Sequence, residues 1–394
     1  MRKNCLMFAG QGSQYKGMAK RICAIYPKAQ EIFATASAAI GIDLKSVCIE
    51  GDGDILLDTS LTQPAILTTS YAIASHLIDE LHIRPSMAVG HSLGEYTALT
   101  IAGCLDLTTA VKIVHRRGQL MKEVAMTKPG SMLAVSGIKR QDIDAQVEKF
   151  SAKYPEQQLV VSNYNSKSEF VVSGQNQGIE LFKELMNAQG HTTIPLKVHA
   201  QFHNPVMREA ANRLRPFLEA ADIRNPNFSV VSTTTGEVLF EREKIIKNLV
   251  DQIVKPVLWS QVLIDIYTKN PDIAFIDVGP RSYLKSFLQD LLDESKVDLF
   301  STENDKGYEA LRSHFLTEQK HFIASMMRQI ATTKNYTDSS LQYDKILTEC
   351  CLRLSNVYND VVSGVLLSPE KLGLIRETIM IINHCKKENI GVSV

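Results

Sequence analysis

Short, uninterrupted apolar runs alternate with stretches of helical periodicity through the first 130 residues. Cys5-Leu6-Met7-Phe8-Ala9 is closed by Gly10, and Met87-Ala88-Val89 by Gly90. Between them, Ile66 to Leu81 reads as an amphipathic helix. Strands that are apolar on both faces are those buried between helices, so the pattern predicts an α/β fold with a largely parallel sheet. The rhythm changes over 131–198. Met132 to Val135, Leu159 to Ser162, Glu169 to Ser173 and Thr192 to Val198 read as strands, and Arg140 to Phe150 and Gly178 to Gln189 as helices. That order, βαββαβ, is the ferredoxin-like pattern. The α/β character then resumes with strands at Asn227 to Val231 and Ala274 to Val278, the second closed by Gly279-Pro280. From about 308 onward the chain is helical, with a polar linker at Ala331 to Ser340. After it Tyr343, Ile346, Leu347, Cys350, Leu354, Val357 and Val361 form an apolar stripe at helical spacing. Its simplest reading is packing against the protein's own body, with a docking face for a partner as the other. The expected organisation is an α/β domain from 1–130 and 199–307, a ferredoxin-like insertion at 131–198, and a helical extension at 308–394.

Composition narrows the class. At 394 residues the chain is long enough for two domains, or for one with an insertion. Lys+Arg and Asp+Glu both count 43, and nucleic-acid binders usually carry a basic excess, so nucleic acid is not expected as the main partner. The seven cysteines are scattered and show no CxxC spacing, which reads as reduced thiols rather than disulfides or a zinc site. The apolar run before Gly10 is too short for a signal-peptide core, and no later run approaches a membrane span. A cytoplasmic protein with no membrane partner is expected.

Gly90-His91-Ser92-Leu93-Gly94 matches G-x-S-x-G, the nucleophile elbow. The serine of such a motif sits on a tight strand-to-helix turn, and flanking glycines relieve the crowding there. The frame fits: a strand is expected over Ser86 to Val89 and a helix over Leu93 to Ala102, closed by Gly103. The helix N-terminus supplies N–H groups and a positive dipole end for a developing oxyanion. The serine needs a base, and the elbow alone does not choose among ten histidines. His91 adjoins Ser92, but neighbours on such a turn point apart. His203 lies in a loop between an expected strand and a helix opened by Pro205, where catalytic groups commonly sit.

The helix after Asp106 carries Ala110, Ile113, Val114, Leu120 and Met121 on one stripe, and Arg117 falls on it too. A buried charge without a partner is costly, so Arg117 must be paired. An acidic residue elsewhere in the fold would suffice. A ligand carboxylate would also, since guanidinium matches it bidentately.

The sequence resembles the malonyl-CoA:acyl carrier protein transacylases of fatty acid synthesis and the acyltransferases of polyketide synthases. The resemblance rests on Gly10-Gln11-Gly12-Ser13-Gln14, Thr62-Gln63-Pro64-Ala65, Gly90 to Tyr96, Arg117-Gly118 with Met121, Phe202-His203, Gln252 with Pro256-Val257 and Trp259, and Val278-Gly279-Pro280. These stand in the family's order and span roughly residues 5 to 305. The resemblance implies a hydrolase-like α/β domain interrupted by a ferredoxin-like subdomain. Ser92 would then be acylated by malonyl-CoA, with His203 as general base and the side-chain carbonyl of Gln252 orienting it. The N–H groups of Gln11 and Leu93 would form the oxyanion hole, and Arg117 would bind the malonyl carboxylate. Asn163 would lie where coenzyme A and the carrier approach, and Phe202 would fill space beside the acyl α-carbon. The implied partners are malonyl-CoA and an acyl carrier protein, the implied state a monomer, and no cofactor is expected.

Two features depart from the family pattern. Multidomain malonyl-selective enzymes usually read His-Ala-Phe-His at the base, whereas this chain reads Ala200-Gln201-Phe202-His203. A methyl group is only modestly discriminated by such a pocket, so extender choice stays open. The C-terminal helices exceed the usual stand-alone enzyme and resemble trans-acting acyltransferases that serve polyketide synthases. Two rivals share the residues: a hydrolase that clears acyl groups from carriers, and a scaffold that binds them through the tail.

Overall fold

The structure, a computed structural model, describes residues 3–331 and 340–387. It forms two compact units, one of Lys3–His76 with Pro85–Asp305, the other of Leu77–Arg84 with the described residues from Lys306 onward. The larger unit holds two sheets.

The first sheet is built on β1 (Asn4–Phe8), β2 (Met87–Gly90), β7 (Ser229–Val231), β8 (Val238–Leu239), β9 (Ala274–Val278) and β10 (Leu299–Ser301), in the order β10-β9-β1-β2-β7-β8. All its pairings are parallel except the closing hairpin of β7 with β8. β1 and β9 are buried at every residue, the polar Asn4 and Asp277 included, as strands covered on both faces are. Alternate residues of β1, Cys5 and Met7 with Ala9 beyond, pack with Val89, Phe275 and the helix Trp259–Lys269 through Trp259, Val262, Leu263 and Ile266. The expected strand at Asn227 begins two residues later, because Asn227 spends its N–H on Ala102.

The second sheet contains β3 (Ser131–Ser136), β4 (Val160–Tyr164), β5 (Glu169–Gly174) and β6 (Thr192–Pro195) in the order β4-β5-β3-β6, fully antiparallel. One face is covered by the helices Arg140–Lys153 and Asn176–Ala188, with Leu133, Val135, Phe170 and Val172 meeting Ile143, Phe150, Ile179 and Phe182. This is the ferredoxin-like pattern. β6 stops at Pro195, short of the expected Val198, with one further N–H, that of Leu196, donated to the Met132 carbonyl at 3.0 Å.

One local reading is corrected. Ile66 to Leu81 was expected to be amphipathic, but the helix runs Thr59–Asp79 and is buried on nearly every side from Thr62 to Leu77. Enclosure, not a solvent boundary, sets its composition.

In the smaller unit, helices Asp305–Ala331, Ser340–Val362 and Pro369–Lys387 share a core. Cys350, Leu354, Val357 and Val361 meet Ile323, Leu367 and Ile375 there, with Ile346 and Leu347 alongside. The stripe therefore packs on the chain's own helices. The side chain of Tyr343 and residues 332–339 of the expected linker lie outside the described residues. Among the described residues no single helix is long and apolar enough to cross a membrane.

Candidate active site

Ser92 occupies the turn between β2 and the helix Gly94–Ile101, with a φ of 52°. That left-handed conformation is rare for any residue but glycine and costs on the order of 1–3 kcal/mol. It aims the hydroxyl out of the turn. The flanking glycines permit the close packing that holds it: a Cβ on Gly90 would fall 2.0 Å from the Glu95 nitrogen, and one on Gly94 2.0 Å from the Phe8 carbonyl oxygen. Both obstacles are backbone and cannot swing aside. Gly94→Ala is thus expected to cost about 3 kcal/mol or more of stability, measurable by urea unfolding.

His203 also sits at positive φ, 55°, in the loop before the Pro205–Met207 turn. Asn204 holds that turn by accepting the Val206 N–H at 3.0 Å. The imidazole Nε2 lies 2.8 Å from Ser92 Oγ. Its Nδ1 faces two backbone carbonyls, those of Gln252 at 2.8 Å and Lys255 at 3.2 Å. Carbonyls only accept, so the proton belongs on Nδ1 and the Nε2 lone pair is free for the serine proton. Burial, with the Arg117 cation nearby, pushes the His203 pKa down to about 3. The base is neutral at ordinary pH.

His91 points elsewhere. Its Nε2 bonds Asn165 Oδ1 at 3.0 Å, its ring packs on Trp259, and burial lowers its pKa to about 4. The choice between the two histidines is made by geometry.

Arg117, on the helix Leu107–Thr127, is 2 % exposed. It donates to Gln63 Oε1 at 2.8 Å, to Ser92 Oγ at 3.2 Å and to Gln252 Oε1 at 3.2 Å, and lies over the Tyr96 ring. Its Nε is buried without an acceptor, and among the described residues no carboxylate lies within ion-pair distance. Among the described residues this buried guanidinium is thus held by two neutral amides and a hydroxyl, with no carboxylate in contact.

Gln252 corrects one expectation. Its side chain was expected to orient His203, but the backbone carbonyl does so instead. The amide Nε2 donates to the Ser92 carbonyl at 3.0 Å, while Oε1 accepts from Arg117. As the C-cap of the helix Arg242–Asp251, Gln252 has a carbonyl that no later turn of the helix claims.

Gln11 follows β1 and Leu93 opens the elbow helix, and Phe8 pairs with Gly90 in register, so both stand at neighbouring strand ends. Neither backbone N–H has an acceptor among the described residues. Phe202 is buried beside His203. Asn163 is buried on β4, where its Oδ1 accepts from Ser162 Oγ at 2.8 Å, and it makes no hydrogen bond to Ser92, His203 or Arg117.

The sequence reading assigned no role to Gln63, which holds Arg117, or to Glu95 beneath the elbow. It also missed Tyr283, whose hydroxyl accepts the Gly10 N–H at 2.8 Å beside Gln11. Gln63 and Glu95 do lie inside motif runs already singled out, and that adjacency was the available signal.

A strained serine, a neutral imidazole on its hydroxyl and an unclaimed pair of N–H groups can form and break an acyl ester, which defines the serine acyltransferase and hydrolase class. The chain belongs to the acyl transferase domain family, which it matches over residues 5–335. It is 34% identical over 290 residues to the malonyl CoA-acyl carrier protein transacylase of Bacillus subtilis (strain 168), an alignment spanning 73% of this chain and 90% of that protein. The structure of the malonyl CoA-acyl carrier protein transacylase from Clostridium perfringens matches with a TM-score of 0.74 at 32% identity, over 82% of this chain and 99% of that one. A malonyl-transacylase solved in complex with a type II PKS acyl-carrier protein matches with a TM-score of 0.73 at 29% identity, over 77% of this chain and 97% of that one.

Proposed function

We propose that the chain transfers malonyl from malonyl-CoA to the phosphopantetheine thiol of an acyl carrier protein through an ester on Ser92, in fatty acid or polyketide synthesis. The observation that carries this reading is the buried Arg117 beside Ser92 Oγ, a cation with no ion-pair partner among the described residues and with its Nε hydrogen unclaimed. His203 Nε2 takes the Ser92 proton as Oγ attacks the thioester carbonyl, and the N–H groups of Gln11 and Leu93 receive the oxyanion. The intermediate collapses, and His203 returns the proton to the departing coenzyme A sulfur. The carrier thiol then attacks the ester by the same steps in reverse. Arg117 pairs the malonyl carboxylate throughout, which fixes the acyl group relative to the carbonyl under attack.

In the same reading Phe202 lines the acyl pocket and Asn163 the approach of coenzyme A and carrier. The working division is 1–130 with 199–307, 131–198, and 308–394. The enzyme acts in the cytoplasm as a monomer, and the steps call for no cofactor beyond malonyl-CoA itself. The C-terminal helices extend past residue 335, where the family match ends.

The test is a partition experiment. Protein acylated by malonyl-CoA, then offered carrier protein in water, is expected to yield mainly malonyl-carrier by mass spectrometry. Free malonate predominating despite abundant carrier would make the chain a hydrolase.

A further inference from the structure

Directly beneath the elbow lies a carboxylate that no step above uses. Glu95 stands in the first turn of the helix Gly94–Ile101 and is fully buried. Asn248 Nδ2 donates to its Oε1, and the Thr233 N–H and hydroxyl each lie 3.2 Å from its Oε2. Asn248 is itself oriented by Ser232, whose hydroxyl donates to its Oδ1 at 2.5 Å. The amide therefore has only its NH2 to offer Glu95, so both carboxylate oxygens face donors. An ionised acid accepts on both oxygens; a protonated one has only the Thr233 hydroxyl oxygen, 3.2 Å from Oε2, to receive its hydrogen.

The contacts also span the site. Thr233 Oγ1 lies 3.0 Å from the Gly90 carbonyl oxygen, at the end of the strand that delivers Ser92. Asn248 lies on the helix Arg242–Asp251, and its carbonyl accepts the Gln252 N–H at 2.8 Å. Gln252 in turn grips both reacting groups, through its carbonyl on His203 Nδ1 and its amide on the Ser92 carbonyl. We propose that Glu95 is a positioning residue for acyl transfer, its anion clamping the elbow to the helix that orients His203. The proposal rests on the roles given above to Ser92 and His203.

The charges support it. Arg117 from the helix Leu107–Thr127 and Tyr96 on Glu95's own helix both feel the carboxylate, which favours the arginine cation. From the other elements packed on it, Asn248, Gln252 and Thr233 contribute neutral donors only. Burial raises the Glu95 pKa to about 7 against those donors, whereas His203 stays neutral down to about 3. The clamp thus exists above about pH 7 and is lost as Glu95 takes up a proton. His203 protonation lies too low to produce an acid limb there.

The experiment measures kcat and KM for malonyl-CoA, and their pH dependence, in Glu95→Gln. Glutamine keeps the shape but sets NH2 against donors. The expected result is a kcat lower by about tenfold or more, a KM within threefold of the parent, and no acid limb near pH 7. Adding Asn248→Asp to that variant supplies an acceptor for the new amide and should bring kcat back to within threefold of the parent. Should Glu95→Gln fail to accumulate folded, Thr233→Val, which removes one hydroxyl and keeps the carboxylate, should lower kcat about threefold at unchanged KM. A kcat within twofold of the parent in folded Glu95→Gln, an acid limb unchanged in it, a loss confined to KM, or no recovery with Asn248→Asp overturns the proposal; so does an unaltered kcat in Thr233→Val. Ser92→Ala, run alongside, separates the two levels: malonyl labelling that survives it means the site reading has failed, whatever Glu95 does.

Discussion

Ser92→Ala protein exposed to malonyl-CoA is expected to show no added malonyl mass, and its transfer to carrier protein should fall by ~10⁴-fold or more. The argument is geometric. His203 Nε2 is poised 2.8 Å from the Ser92 hydroxyl, and that is the only hydroxyl bonded to this base among the described residues. With the oxygen gone, the imidazole has nothing to deprotonate in reach of the acyl carbon. Intact-protein mass spectrometry reads the result directly. A malonyl adduct on the variant would mean another nucleophile. The fold should survive, since Ser92 contributes its strained backbone rather than packed bulk.

The second large effect concerns selectivity. Arg117→Ala is expected to lower malonyl transfer about 10- to 150-fold while acetyl transfer is spared or improved. That range converts the 1.5–3 kcal/mol of a charge-assisted hydrogen bond. The carboxylate pair serves only a dicarboxylic acyl group, and removing an otherwise unpaired buried cation relieves a desolvation cost. Acetyl transfer would suffer as well if Arg117 merely braced Gln63 and Gln252, which it also touches. Parallel kcat/KM values for malonyl-CoA and acetyl-CoA decide the matter: equal losses would make Arg117 a structural strut.

Several elements were legible in the sequence because one physical requirement dominated them. β9 was read to the residue, since its run is apolar but for the buried Asp277 and Gly279-Pro280 closes it. The βαββαβ order survives small boundary errors, and the elbow announces itself because only glycine fits where backbone approaches backbone. Arg117 stood out as a charge on an apolar stripe, and it is indeed buried. The pairing of Ser92 with His203 was not readable from spacing, because it joins positions 111 residues apart and only the fold brings them together. Gln252 was misread for a related reason. A sequence displays side chains, but here the group on His203 is a backbone carbonyl exposed by a helix end. Glu95 was passed over because nothing in a letter code separates a buried glutamate from a solvated one.

The positive φ of Ser92 has a consequence for evolution and for engineering alike. By chemistry, serine, threonine and cysteine are all candidates for the nucleophile. At φ 52° a β-branched side chain is a genuine outlier, so threonine is disfavoured by the main chain before its reactivity is ever tested. Cysteine adds no branch and could occupy the same turn. The repertoire of nucleophiles open to this scaffold is thus set by a torsion angle: converting it to a thioester-forming enzyme needs one exchanged atom, whereas a threonine enzyme would need a different turn.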